Sequence, residues 1–176
     1  MNLTLREYKP SDLPFIKQML YEAVFWRMKE SERPPFEEGL NYDGAKNALE
    51  DWQSREGDAA LVAEIGSALV GAIWYRYFTD DNSIRGYYDD SVPVIVIGVH
   101  RDYRRKGIGS KMMQGIFEHA ISHNIKRLSL CVSKDNYALN LYSQQGFKEH
   151  IDIGDSYIMI KNLSNEESPI SLLIVR

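Results

Sequence analysis

The sequence predicts one mixed α/β domain with a mostly antiparallel sheet of six to seven strands, and three observations carry that prediction. Val92 to Val99 is a short apolar run crowded with β-branched residues, closed by the charged segment His100 to Lys106 and followed at once by a helical pattern. Leu128 to Val132 is a second strand-like run just beyond that helix, so the two strands should pair in parallel through a right-handed crossover. Leu61 to Ile65 and Ala68 to Phe78 flank Gly66-Ser67 and read as an antiparallel hairpin.

The remaining elements follow in order. Leu3 to Tyr8 alternates apolar and polar residues, as a half-buried strand does. Ser11 is a suitable N-cap with Pro14 in the first turn, and Phe15, Met19 and Ala23, with Ile16 and Leu20 beside them, set a helix running to about Met28. Ser31 to Tyr42, with Pro34-Pro35 and Gly39, is a loop, and Gly44 to Gln53 carries a short second helix with Leu49 and Trp52. The hairpin supplies strands two and three. Thr79 to Ser91 is polar and is expected to form a mobile loop over the mouth of a site. The fourth strand spans 92–100, a helix runs from Gly107 to about His123, and a strand at 127–132, a helix at 136–145 and strands near 147–152 and 156–161 complete the domain, 1–161. Residues 162–176 form a tail, whose apolar stretch Ile170 to Val175 is expected to dock on the domain or on a partner.

The fourth strand ends in Arg104-Arg105-Lys106-Gly107-Ile108-Gly109-Ser110. Two glycines leave the backbone bare where a phosphate can approach, the helix beginning there directs unpaired N–H groups at the same point, and Arg104, Arg105 and Lys106 add positive charge. A nucleoside-triphosphate loop of the Walker type is excluded, because Gly109 is followed by Ser110-Lys111 and not by Lys-Ser/Thr. A dinucleotide fingerprint is excluded because its third glycine position holds Met112.

The Arg-x-x-Gly-x-Gly signature between strand and helix resembles motif A of the GCN5-related N-acetyltransferase (GNAT) family. Asp135-Asn136-Tyr137-Ala138-Leu139-Asn140-Leu141-Tyr142, with Gly146-Phe147 after it, resembles that family's motif B at the expected distance. The likeness is most specific over residues 92–149. It implies a GNAT-type α/β fold, helices on both faces of the sheet, and strands four and five splayed into a wedge for the pantetheine arm of acetyl-CoA. It further implies that Ile97, Gly98 and Val99 bond that arm through main-chain groups, and that residues 104–110 hold the pyrophosphate. Gly98 is then a point of close approach or a simple bulge. Asn136 contacts the arm or only caps its helix, and Tyr142 matches the tyrosine that protonates the leaving thiolate, or else is an amphipathic core residue.

Acetyl transfer to an amine needs a neutral nucleophile, a stabilised oxyanion and a proton for the thiolate. The N–H of Val99 or a neighbour is the expected oxyanion donor. A base is harder to find. Some relatives carry a glutamate on the fourth strand, where this chain has Val94, Ile95 and Val96. Glu64, Asp89, Asp90, His100 and a water chain are the substitutes. Trp26, Trp74, Arg76 and Tyr88 are the expected acceptor-binding side chains, among further aromatic and cationic residues at Arg27, Tyr42, Tyr75 and Tyr77; Trp74, Arg76 and Phe78 alternate with Tyr75 and Tyr77, so only one set can face a cleft.

Composition sets the bounds. At 176 residues the chain suits one domain and is too short for two. A net charge of -4 argues against a general nucleic-acid binder and makes the basic loop a local feature. The lone Cys131 sits in an apolar run and reads as core, in a reducing compartment. The N-terminal stretch lacks a signal-like apolar core and no apolar run approaches the length of a membrane span, so a cytoplasmic protein is expected. His119 and His123 lie one helical turn apart without a carboxylate between them, so no metal site and no metallohydrolase is expected. The expected ligands are acetyl-CoA as co-substrate and an unidentified amine acceptor, with a homodimer left open. A catalytically silent acyl-CoA sensor is the alternative to an enzyme.

Overall fold

The computed structural model describes residues 2–163. Seven strands form one sheet in the order β1-β2-β3-β4-β5-β7-β6: β1 Leu3–Glu7, β2 Ala59–Ile65, β3 Ala68–Arg76, β4 Val94–Val99, β5 Arg127–Ser133, β6 Lys148–Asp152 and β7 Ser156–Asn162. All neighbours are antiparallel except β4 and β5. The helices are α1 Leu13–Val24, α2 Phe36–Leu40, α3 Ile108–Ser122 and α4 Ala138–Gln144.

Strand alternation divides the core in two. On one face Ile16, Met19 and Leu20 of α1 meet Val62, Ala72, Trp74 and Val94. On the other, Met112, Met113 and Ile116 of α3 meet Ile73, Ile95, Leu128 and Leu130, with Tyr142 of α4 at the margin. Helices therefore cover both faces, as the motif resemblance implies.

Several boundaries differ from the sequence reading. A 3₁₀ turn over Pro10–Asp12 precedes α1, and Asp12, not Ser11, satisfies the chain there: its Oδ2 accepts from the Lys9 N–H at 2.7 Å and its carboxylate pairs with Arg6. The helix also stops at Val24, a turn short of Met28. The segment 44–53 holds only a 3₁₀ turn at Lys46–Ala48, whereas a short helix, α2, forms inside the expected loop because Pro35 precedes its first turn. Strand β3 ends at Arg76, which is withdrawn into a buried ion pair. The polar segment after it is anchored by Ile84, which is buried, and by Gly86, whose absent side chain lets the backbone lie against Val94 and the main chain of Leu130 and Cys131. The tail, with its apolar stretch Ile170 to Val175, lies outside the described residues from 164 onward; Leu163 is buried and its N–H donates to the Lys126 carbonyl.

Candidate active site

The parallel pair supplies the opening. Only Val94 and Ser129 are matched between β4 and β5, and the Ser129 N–H donates to the Pro93 carbonyl at 3.1 Å; beyond that point the strands part. On its other edge β4 is fully paired with β3 from Val94 to Val99, and the His100 N–H donates to the Val70 carbonyl in the same register. Antiparallel pairing alternates, so residues 94, 96, 98 and 100 turn their main-chain groups to β3, while Ile97 and Val99 turn theirs into the gap. That parity turns the main chain of Ile97 and the Val99 N–H, and not the groups of Gly98, toward the gap, while the Val99 carbonyl is taken by Arg104. Gly98 instead admits the backbone of α1, because a Cβ there would lie 2.5 Å from the Met19 carbonyl oxygen; the register with β3 runs unbroken through it, and the close neighbour is α1, where the resemblance implied the cofactor arm.

The gap opens into a cleft of about 560 Å³. Among the sequence-predicted residues, Trp26, Ile97, Gly98, Val99, Arg104, Arg105, Gly107, Ile108, Gly109, Ser110, Asn136 and Tyr142 all line it. Gly107 is the residue before α3 and has φ +77, a left-handed conformation with open space where a side chain would be. Arg105 is also left-handed, at φ +59. Left-handed residues directly before a helix whose first-turn N–H groups lack helical partners make a backbone suited to an anion.

Arg104 is placed differently from expectation. Its Nε donates to the Val99 carbonyl at 3.0 Å and its Nη2 to Glu22 at 2.9 Å, so it ties the end of β4 to α1. Glu22 also accepts from Arg33 at 3.0 Å and Arg101 at 3.2 Å. Burial alone would push this carboxyl up; the Arg33 and Arg101 guanidiniums outweigh it and hold it below the ordinary glutamate value. With Glu30 also paired to Arg101, two carboxylates face the three guanidiniums of Arg33, Arg101 and Arg104, and one positive charge is left in excess beside the glycine loop. Glu22 lines the cleft and was missed by the sequence reading, although a carboxylate three residues after Met19, on the buried side of α1, is the signal that could have found it.

Tyr142 is 9% exposed, packs edge-on against Phe147 and has its phenol held well above the ordinary tyrosine value by burial, so it carries its proton at neutral pH. Asn136 lines the cleft, and its Oδ1 accepts from the Ala138 N–H at 2.9 Å at the start of α4, which is the capping role. Cys131 lines the cleft as well, its thiol pushed up by burial.

The structure corrects the acceptor set and the base candidates. Trp74 is fully buried in the α1-side core. Arg76 is fully buried too, bonded through Nε and Nη2 to Asp58 at 2.8 Å and to the carbonyls of Glu50 and Asp51. Tyr88 stacks edge-on with His150 and under Arg127, away from the cleft, and Lys106 donates to the Asp102 carbonyl. Tyr75 and Tyr77 lie on the far side of the molecule. Trp26 is joined in the cleft by Tyr42, Asp43 and Arg85. None of the base candidates reaches it: Glu64 pairs with Arg6, Asp89 bonds Ser91, Asp90 accepts from Tyr87, and His100 sits by Asp102. Asp43 and Glu22 are the carboxylates in its lining, and among the described residues Asp43 has no ion-pair partner.

A parted pair of parallel strands, a glycine loop under a helix start and a buried phenol beside one cleft define a mixed α/β fold opened between β4 and β5. The profile of the Acetyltransferase (GNAT) family matches residues 22–147, and the chain belongs to that family. An acetyltransferase of Sodalis glossinidius is 29% identical over 104 residues, which are 58% of this chain and 63% of that relative, so this chain matches less than two thirds of its length. The PaiA N-acetyltransferase of Thermoplasma acidophilum, solved with coenzyme A, superposes with a TM-score of 0.66 at 19% identity over 92% of this chain and 99% of that one. An N-acetyltransferase from Staphylococcus aureus gives 0.68 at 18% identity over 93% and 100%. These structural likenesses are of fold. No helix among the described residues is long and apolar enough to cross a membrane.

Proposed function

We propose that the protein moves an acetyl group from acetyl-CoA directly to a primary amine of a small molecule or protein. The observation that carries this reading is the wedge beyond Val94 and Ser129, with Ile97 and Val99 turned into it and Gly107 under the start of α3 beside it. The amides of residues 107–110 suit a diphosphate, and the main chain of β4 suits the amides of an extended arm, as an added strand would. The Val99 N–H is the donor for the oxyanion that forms as nitrogen attacks the thioester carbonyl. A C–N bond forms, the C–S bond breaks, the Tyr142 phenol gives its proton to the departing sulfur, and the proton shed by the acylated nitrogen returns through water to the phenolate.

An alkyl ammonium of pKa about 10.4 is neutral only roughly 0.04% of the time at pH 7, which costs about 4.6 kcal/mol. Asp43 lies at the cleft with Trp26 and Tyr42, so it orients the ammonium and favours its approach, while the proton leaves through water. A silent acyl-CoA sensor draws support from the same lining, because among the described residues no imidazole and no candidate strand carboxylate faces the cleft.

Coenzyme A release with a panel of primary amines separates the two readings. Turnover is expected, and Tyr142→Phe should lower kcat about 100-fold with little change in the KM for acetyl-CoA. Unchanged kcat in that variant removes Tyr142 from the chemistry; binding without turnover for every amine favours the sensor.

A further inference from the structure

A second cavity, of about 770 Å³, lies at the opposite end of α3 from the glycine loop. The helix has 15 residues, so the two sites are separated by about 22 Å along its axis. The ends of β1 and β3, the segment leading into β2 and the last turn of α3 build its walls. Three phenol rings line it, those of Tyr8, Tyr75 and Tyr77. Tyr75 is 1% exposed and its hydroxyl is fixed by His119 Nδ1 at 2.9 Å. Tyr77 is held by Gly57, where a Cβ would strike the ring at 2.8 Å, so the wall depends on a glycine at that point. His119 and His123 stack at 4.2 Å along one side.

The electrostatics are opposite to those of the cleft. Glu7, Glu56 and Asp58 line this cavity, and no lysine or arginine does among the described residues. Asp58 is neutralised by Arg76, but no ion-pair partner is found for Glu7 or Glu56 among those residues. The carboxyl end of α3 adds partial negative charge. Two carboxylates outside any ion pair, a helix C-terminus and the partly exposed rings of Tyr8 and Tyr77, backed by the buried Tyr75, all favour a cation. No cluster of three or more His, Cys, Asp or Glu among the described residues can hold a metal ion, which turns the reading away from a bare ion.

We propose that this cavity is a second ligand site, separate from the acyl-transfer cleft, and that it binds a small organic ammonium ion between the phenol rings and the Glu7 and Glu56 carboxylates. It is independent of the catalytic reading, since nothing in it uses the glycine loop or the wedge.

Tetramethylammonium chloride is the probe, because a quaternary nitrogen has no lone pair to acetylate and so is not consumed as an acceptor. Titration into the full chain, against sodium chloride at equal ionic strength, should give saturable shifts in the imidazole resonances of His119 and His123 with a Kd on the order of millimolar, and leave the Gly107 and Gly109 amides unmoved. Tyr142→Phe should bind the probe as the parent does. Glu7→Gln with Glu56→Gln, both exposed positions, should weaken it about five- to tenfold. No saturable shift, shifts confined to the cleft amides, or equal binding by the double variant overturns the proposal. Failure of acetyl-CoA to bind, with the probe still binding, counts against the catalytic reading alone.

Discussion

Asp43 shows how a residue of no distinction in the sequence acquires one in the fold. It sits in a loop with Tyr42 and Gly44, in no motif, yet it reaches the cleft as a carboxylate without an ion-pair partner among the described residues, while Glu22 nearby is saturated by three arginines. An acceptor arriving as an ammonium should feel it. Asp43→Asn is expected to raise the KM for a primary amine about threefold to tenfold, with the KM for acetyl-CoA unchanged, in steady-state assays at fixed pH. Equal effects on both constants would place Asp43 in cofactor binding. Conversely, Arg76 and Trp74 are the most conspicuous acceptor candidates in the sequence and prove to be core. Charge and aromatic type are legible in a sequence; the partner that buries them is not. Asp58, 18 residues away from Arg76, could not be assigned as its partner from spacing.

At the scale of elements, β1 to β5 were legible because each carries its own period or run of β-formers, whereas β6, Lys148–Asp152, is exposed throughout and carries neither; the parallel pair followed from the crossover rule. The short helices were not. Gly44 to Gln53 has helical apolar spacing yet makes only a 3₁₀ turn, because Asp51 and Gln53 take left-handed backbones that break any longer helix. The contact between α1 and β4 is the element-level feature on which the wedge rests, since it holds the strand whose free edge faces the cleft. Gly98 makes that contact possible, with the Met19 carbonyl where a Cβ would be. Gly98→Ala cannot be relieved by turning a side chain, because the obstruction is backbone. It should cost about 2 kcal/mol, lowering Tm by roughly 4–8 °C, and should weaken acetyl-CoA binding as β4 shifts. A variant with the parent's Tm and affinity would show that α1 yields without cost.

For the whole molecule, the pH response follows from groups whose protonation differs between folded and unfolded chains. His119 is held below its ordinary value of 6.5, first by burial and then by His123, with Glu7 opposing. The unfolded chain therefore binds a proton that the folded one refuses between the two values. Stability from this site is complete above pH 6.5 and declines as pH falls through 6.5 toward the folded value. Thermal melts from about pH 8 to about pH 5 should record that decline, and His119→Gln should flatten it; a melt curve indifferent to pH over this range in the parent chain would contradict the assignment. The same experiment leaves the glycine loop untouched, since His119 lies at the far end of α3.

On the proposed function, the loop amides at 107–110 and the open edge of β4 together hold acetyl-CoA. Isothermal titration of acetyl-CoA into the parent chain and into Gly107→Val tests it most directly. Valine at φ +77 forces the loop out of its left-handed turn while leaving the core and Tyr142 in place. Saturable binding by the parent and a loss of tenfold or more in the variant is the predicted result. No binding heat from either chain, or equal affinity in both, would contradict it.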